Sequence, residues 1–425
     1  MKKPLRIALF TYSTKPRGGV IHTIELAEAI QASGHKVCIY ALDKDNIGFH
    51  RRLNCPSKLI PTKPAADRQL LLQRKQNYLN EGIEDTEKKD SNPIDELIKQ
   101  RIQEFTSYLC QESEKYDIYH SQDCISTNAL QVLRSKKLIP HFIRTVHHID
   151  EFNSPYLQEC HDRSILEPDL CLCVSQYWRS RLRQFRQRVS DPQRTVSQLE
   201  QQYQIDAPVV INGVNTQRFS SQLNGKEAEL KQRLGVNGSP VYLSIGGIEP
   251  RKNSLKLLKA FSEVLKDHPQ AQLIIAGGET LFDYEPYRLR FFDIVKQNQI
   301  KLGKSLLLPG VIKDEDLTVL YRCADAFVFP SVKEGWGLVL LEAIASGLPI
   351  ITSNIPPFTE FLTSDSALLV DPNSSNAIAN AMKAISNKSL AQKLIDNSAT
   401  IPSEYSWQKS AQMHLKYYFQ LLQRH

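Results

Sequence analysis

Two glutamates separated by seven residues, inside a stretch that also carries two glycines, are the feature of this chain most ready for chemistry. The stretch reads Phe329-Pro-Ser-Val-Lys-Glu-Gly-Trp-Gly-Leu-Val-Leu-Leu-Glu342. A strand is expected to end at Pro330 and a helix to begin near Leu338, with Glu334 in the loop and Glu342 about one turn into the helix. A carboxylate accepts the paired hydrogen bonds that sugar hydroxyls donate. The glycines let backbone approach a ligand, and the free N–H groups of a helix start favour a phosphate. A bare Glu-x7-Glu would be a loop charge and a surface helix residue. The Pro-Ser ahead of it and Ala343-x-Ala-x-Gly-x-Pro behind it argue for a site.

A second segment supplies the opposite charge. Ser244-Ile-Gly-Gly-Ile-Glu-Pro-Arg-Lys-Asn253 follows one apolar run and precedes a helical pattern, with Asn253 expected as the N-cap. Arg251 and Lys252 would stand at the carboxyl edge of a sheet. Breaking a sugar–phosphate bond leaves extra negative charge on a diphosphate, and two fixed cations stabilise it as it develops. An adjacent Arg-Lys on its own is equally a surface feature.

Three further clusters lie in the first half. Gly18 and Gly19, in Pro16-Arg-Gly-Gly-Val20, form a turn where backbone can face a ligand. In Arg144-Thr-Val-His-His-Ile-Asp150, one of His147 and His148 is expected to hydrogen-bond a sugar. His120, Gln122 and Asp123 follow the preceding strand and are read as lining the acceptor side or supporting it. Consecutive histidines on a strand point apart, and no His-Glu-x-x-His is present, so no metal site is expected. No Gly-x-Gly-x-x-Gly and no Gly-x4-Gly-Lys-[Ser/Thr] occurs, which removes the usual support for dinucleotide binding and for a P-loop.

These residues need a scaffold, and the periodicity predicts one. Leu5–Phe10 reads as a strand. Val20, Ile24, Ala27 and Ile30 recur at helical spacing, Gly34 stops that helix, and Val37–Leu42 is the next strand: a βαβ unit of a parallel sheet. Further buried strands are expected at 118–120, 142–146 and 170–174. Residues 62–104 turn polar and charged and read as an insertion of solvated helix or loop, not sheet. Residues 176–205 are basic and glutamine-rich, with arginines at 179, 181, 183, 186, 188 and 194. They form either a solvated helix face or a contact with an anionic acceptor or membrane surface. From Ala207 the pattern restarts, with strands at 241–245, 273–276, 306–308, 326–329 and 349–352. Two α/β domains are therefore expected, 1–205 and 206–405. A last helical segment at 406–425 either closes the second or packs back on the first.

Composition narrows the class. The chain has 425 residues, 41% hydrophobic and 23% charged, with formal net charge +7. Those are globular values, and the charge excess is too mild to imply nucleic acid. The arginine cluster lacks interleaved aromatics and a known nucleic-acid module. Eight cysteines include no Cys-x-x-Cys pair; Cys171-x-Cys173 reads as two core-facing thiols in a strand. Two N-terminal lysines precede only a short apolar run, and no stretch of about 20 apolar residues occurs. A cytoplasmic protein is expected.

The motifs resemble the retaining glycosyltransferases of the group 1, or family 4, type, which have the GT-B fold of two Rossmann-like domains facing each other across a cleft. The resemblance rests on Glu334-x7-Glu342 with its flanks, Arg251-Lys252, Asn212-Gly-Val-Asn215 with Phe219, and the Gly18-Gly19 loop. It covers nearly the whole chain outside 62–104. His120-Ser-Gln-Asp-Cys-Ile-Ser126 and Thr145-Val-His-His148 look like one bacterial subgroup. The resemblance implies a nucleotide-sugar donor in the second domain. Glu342 would bind the ribose, Glu334 would face the transferred sugar, and Arg251 and Lys252 would hold the diphosphate. Backbone at Gly337, Leu338 and Val339 would meet a phosphate. His147 would contact the donor sugar, with His148 as rival. It implies an acceptor that is a sugar, lipid or small molecule, no cofactor and no divalent metal. Asn215 stands where the family commonly has Asp. A nucleotide-sugar epimerase or hydrolase of the same fold, and a non-catalytic nucleotide-sugar-binding protein, are the rival readings.

Overall fold

The computed structural model describes residues 3–63, 93–190, 207–278 and 284–424. Most of the expected insertion at 62–104, and Arg194 with the end of the basic stretch, lie outside these residues. The chain divides into two compact units: the residues up to Val210 together with those from Ser410 onward, and Ile211–Lys409.

The first unit runs β1 (Arg6–Thr11), α1 (Gly18–Ala32), β2 (Lys36–Asp43), β3 (Ser57–Pro61), α2 (Pro93–Cys110), β4 (Ile118–Ser121), α3 (Cys124–Ser135), β5 (Ile143–Val146), α4 (Pro155–Leu166), β6 (Leu170–Cys173) and α5 (Gln176–Ser190). Its sheet has the order β3-β2-β1-β4-β5-β6 with all neighbours parallel. Strands β4, β5 and β6 are buried along their whole length, because helices cover both faces of a parallel sheet. Val20, Ile24, Ala27 and Ile30 of α1 are fully buried, which is what their spacing demands.

The second unit runs α6 (Glu227–Leu234), β7 (Val241–Ile245), α7 (Ser254–Asp267), β8 (Gln272–Ala276), α8 (Glu285–Gln297), β9 (Leu306–Gly310), α9 (Asp314–Arg322), β10 (Ala326–Phe329), α10 (Leu338–Ala345), β11 (Ile350–Ser353), β12 (Leu368–Val370), α11 (Ser375–Ala384), α12 (Lys388–Ser398) and the short α13 (Ile401–Glu404). Its sheet is also parallel, in the order β12-β11-β10-β7-β8-β9. The last helix, α14 (Trp407–Leu422), groups with the first unit from Ser410 onward.

Each sheet reverses its winding direction at one place. In the first, β2 and β3 lie to one side of β1 and β4–β6 to the other. In the second, β8 and β9 lie to one side of β7 and β10–β12 to the other. Loops leaving the carboxyl ends of the strands diverge there and open the crevice in which doubly wound sheets bind ligands. The crevice of the first sheet is edged by the Gly18-Gly19 loop and by Gln122-Asp123. That of the second is edged by the loop carrying Arg251 and Lys252 and by the loop carrying Glu334.

The described end of that stretch, residues 93–104, is helix rather than sheet, as expected, and forms most of α2. It is not wholly solvated: Arg101 is buried and, with Phe105 just beyond, packs the helix against α3. Arg101 is held by Glu104 at 2.7 Å, and Ser154 donates to Asp95 at 2.8 Å.

Candidate functional site

The second unit concentrates charge where β7 and β10 diverge. Glu334 sits at the centre. Its Oε1 accepts from Lys252 Nζ at 2.7 Å and from Ser331 Oγ at 2.8 Å, and its Oε2 faces Arg251 Nη1 at 2.6 Å. Arg251 is shared with Glu249, at 2.9 Å. The side chains of Lys252 and Glu334 are only 13% and 11% exposed, whereas that of Arg251 is 42% exposed. Lys252 therefore forms the floor of the cluster and Arg251 its solvent-facing lip. Burial alone would push the Glu334 carboxyl up, but Lys252 and Arg251 overcome it and hold it below its ordinary value. Burial likewise works against charge on Arg251, and Glu334 and Glu249 more than restore it. Lys252 differs: burial pushes its ammonium below its ordinary value although Glu334 works against that, and Glu249 balances the second cation of the cluster.

The backbone makes room for this arrangement. Gly246 has φ +139°, and a Cβ there would come within 2.5 Å of Lys252 Cε. Its missing side chain lets the lysine stem lie along the loop. The ammonium also lies 4.5 Å from the centroid of the Phe329 ring, a cation–π contact that holds it in place. Asn253 departs from expectation. It does not cap α7 with its side chain. It takes the left-handed conformation, φ 60°, and its amide donates to Pro330 O at 3.0 Å and Pro372 O at 2.7 Å. The asparagine thus ties the cation loop to the glutamate loop, and Ser331 does the same, its one hydroxyl proton shared between Arg251 O at 2.7 Å and Glu334 Oε1 at 2.8 Å.

Helix α10 begins directly after this cluster. Gly337 precedes it at φ +110°, where a Cβ would meet the Phe358 ring at 2.9 Å. The first N–H groups of a helix have no intrahelical acceptor, so the backbone at Leu338 and Val339 offers donors beside the cations. Trp336 is buried and stacks on Phe361 with ring centroids 5.0 Å apart, anchoring the turn. Glu342, half-buried on the same helix, accepts from Tyr321 Oη at 2.7 Å. Phe219 packs edge-on against that tyrosine at 5.7 Å. Asn215 accepts from the backbone N–H groups of Gln217 and Arg218 at 3.2 and 3.3 Å, a turn that an aspartate would make equally well.

The first unit gathers histidines rather than carboxylates. His147 is half-buried, with its Nε2 3.2 Å from Gln122 Oε1 and 4.0 Å from where a Cβ on Gly19 would stand. His22 of α1 meets it edge-on at 4.8 Å. Gly18 and Gly19 open α1, so their N–H groups face the same side. His148 is placed elsewhere: exposed, paired with Asp150 at 2.8 Å and edge-on to Trp178 at 6.4 Å. Of the two rivals, His147 is the one beside the glycine loop.

Of the three residues read as lining the acceptor side or supporting it, His120 and Gln122 are buried and Asp123 is partly exposed. His120 is fully buried, with Nδ1 2.6 Å from Tyr418 Oη and Nε2 2.7 Å from Thr145 Oγ1, so it cannot line a surface. Asp123 caps α3, accepting from Ser126 N at 2.8 Å and Ser126 Oγ at 2.9 Å. Gln122 is buried as well and bridges His120 and His147.

Among the described residues no group of three His, Cys, Asp or Glu is placed to hold a metal ion. All eight cysteines are free, and Cys171 and Cys173 are fully buried. The sequence pattern gave no role to Glu249, Ser331, Tyr321 or His22. Glu249 and Ser331 sit inside the two quoted segments, Ser331 in the Pro-Ser pair already noted, and that was the available signal. Tyr321 and His22 show themselves only through strand order and helix packing.

Comparison with known proteins connects this geometry to a class. Residues 226–400 match the profile of the family described as Glycosyl transferases group 1. The O-antigen chain mannosyltransferase B of Escherichia coli is 31% identical over 183 residues, 42% of this chain and 45% of that protein. The chain spans about half the length of the curated relatives it matches. Among solved structures, a sucrose-phosphate synthase from Thermosynechococcus elongatus covers 99% of this chain and 100% of its own, with TM-score 0.71 and 20% identity. HepE from Anabaena, solved with UDP-glucose, covers 97% and 98%, with TM-score 0.68 and 15% identity. The chain shares the two-domain α/β architecture of these glycosyltransferase structures, the GT-B fold.

Proposed function

We propose that this protein is a retaining, metal-independent glycosyltransferase that moves a sugar from a nucleotide-sugar donor to a sugar, lipid or small-molecule acceptor. The observation that carries the proposal is the Lys252–Glu334–Arg251 cluster at the switch point of the second sheet, buried at Lys252 and Glu334 and open at Arg251, set against the start of α10. A diphosphate there would meet Arg251 and Lys252 from one side and the α10 N–H groups from the other. Glu334, already ionised, would turn toward the transferred sugar as the phosphates take over its cations. Glu342, oriented by Tyr321, would accept from the ribose hydroxyls. To His147, which lies beside Gly19 in the first unit, we assign the sugar contact that the family resemblance implies.

In this account no protein group attacks the anomeric carbon. The acceptor hydroxyl approaches from the face the phosphate leaves, and the departing phosphate oxygen takes its proton. Fixed cations lower the barrier by stabilising that oxygen. The family match over 226–400 and the mannosyltransferase relative support this reading over an epimerase or a non-catalytic binder. No described helix is long and apolar enough to cross a membrane. We place the enzyme in the cytoplasm, with peripheral contact to the inner membrane face through the Arg179–Arg194 stretch.

The test is incubation with UDP-, GDP- and ADP-sugars, followed by nucleotide release and by proton NMR of the sugar product. One donor should release its nucleotide, and the product should keep the donor's anomeric configuration. Inversion would exclude the mechanism, and silence across the panel would remove the donor assignment.

A further inference from the structure

The proton arrangement on His147 is dictated from the far side of the first unit. His147 and His120 are both neutral: burial pushes each well below its ordinary value, and neighbouring imidazoles and the Arg144 guanidinium disfavour a further positive charge. The groups facing His147 in this respect are His22, Arg144, His148 and His120, none of them acidic. A neutral imidazole carries one N–H, so each ring must choose which nitrogen donates.

Gln122 makes that choice. Its amide nitrogen lies 3.4 Å from His120 Nε2 and its carbonyl oxygen 3.2 Å from His147 Nε2. The nitrogen only donates and the oxygen only accepts. A proton on His120 Nε2 would oppose that N–H, so Nε2 is the bare nitrogen, its one lone pair directed at the Thr145 hydroxyl at 2.7 Å and shared more weakly with the Gln122 N–H. The His120 proton must sit on Nδ1 and donate to Tyr418 Oη at 2.6 Å. At the other end, His147 must carry its proton on Nε2 and donate it to Gln122. Tyr418 lies on α14, held in the same cluster by His414, whose Nδ1 donates to Ser410 O at 2.8 Å. The chain of contacts therefore runs from the last helix, through two strand ends, to the loop beside Gly19.

We infer that Gln122 and Tyr418 are positioning residues that fix His147 as its Nε2–H tautomer, so that the ring offers a bare Nδ1 as a hydrogen-bond acceptor to a ligand hydroxyl. The inference about the ligand rests on the reading of His147 as a donor-sugar contact; the tautomer itself does not. A histidine fixed this way receives a hydroxyl proton rather than giving one. It thus recognises a sugar oxygen that keeps its hydrogen and disfavours one that is alkylated.

The experiment is ring-nitrogen NMR on protein labelled with nitrogen-15 histidine, without donor, with His147 assigned from the His147→Gln spectrum. The wild-type ring should show the Nε2–H pattern. Gln122→Met should convert it to Nδ1–H or a mixture. Gln122→Glu should keep Nε2–H, and its carboxylate should bring the His147 titration up into the neutral range. Tyr418→Phe removes the acceptor of the His120 proton and should move the His120 tautomer first. An Nδ1–H pattern in the wild type, or a pattern unmoved by Gln122→Met and Gln122→Glu, overturns the inference. If Gln122→Met does not fold, the Gln122→Glu titration decides alone. Turnover separates the two readings: if the tautomers shift as stated but kcat/KM on the responsive donor is unchanged, the relay stands and the donor contact fails. With both correct, kcat/KM for Gln122→Met falls about tenfold, the worth of one lost hydrogen bond of about 1.4 kcal/mol.

Discussion

Replacing Lys252 with methionine tests whether the central cluster serves the fold or the reaction. Methionine keeps most of the stem that lies over Gly246 and beside Phe329, and removes the ammonium 2.7 Å from Glu334. Stranding the partner of a buried ion pair costs about 3–5 kcal/mol. Here Glu334 keeps Arg251 at 2.6 Å and Ser331 at 2.8 Å, and the Arg251 side opens to water. The expected destabilisation is therefore smaller, about 1–3 kcal/mol. The chemical effect should be larger. Losing one fixed group that stabilises a developing oxyanion lowers turnover roughly 100- to 1,000-fold. The two effects separate in the double variant Lys252→Met, Glu334→Gln. It has no stranded carboxylate, so its thermal midpoint should return toward the wild type while turnover stays low. The assay is nucleotide release from the responsive donor alongside thermal denaturation of each variant. A folded Lys252→Met protein with turnover within about threefold of wild type would refute the reasoning. So would a double variant that regains activity with stability.

Other outcomes follow from the same contacts. Gly246→Ala puts a methyl within 2.5 Å of Lys252 Cε at a φ of +139°, so it should cost about 1–3 kcal/mol of stability and most of the turnover, read by the same two assays. Tyr321→Phe removes the donor to Glu342 and should raise KM for the donor about three- to tenfold with kcat little changed. Asn253→Gly keeps the left-handed backbone but deletes both amide bonds, and should lower stability by about 2 kcal/mol in urea melts. Buried His414 is held down to about 4, chiefly by burial. The unfolded chain binds its proton near pH 6.5, so above that pH this group leaves stability untouched. Stability then falls as the pH drops from about 6.5 to 4, by roughly 3 kcal/mol for His414 alone, and more as His120 adds its share. Urea melts across that window should show the decline, and His414→Gln should make it shallower by its own share while that of His120 remains.

The apolar strands and the order of elements were legible because a parallel sheet covered on both faces must be apolar along its length. The edges were not. β3 buries only Ile60 of its five residues, and β12 is three residues long, so neither leaves a periodic signature. α2 is hidden by its charges, although Ile98, Arg101, Ile102, Phe105 and Leu109 line one helical face. The members of the central cluster could each be picked out by type. That Glu334 would bind Lys252 and Arg251 across 82 residues could not, because it depends on β10 lying beside β7. His120 and Asp123 looked like surface groups at a strand end. The last helix covers the first and a helix N-terminus claims the second, and neither event is written within the local sequence.

Isothermal titration of UDP, GDP and ADP into the wild type, Arg251→Ala and Lys252→Met tests the central claim most directly. One nucleoside diphosphate should bind the wild type, and each variant should bind it about tenfold or more weakly, as expected for losing a charge-assisted contact to phosphate. Binding of equal strength in all three proteins, or to none, would contradict the assignment of the diphosphate to this cluster.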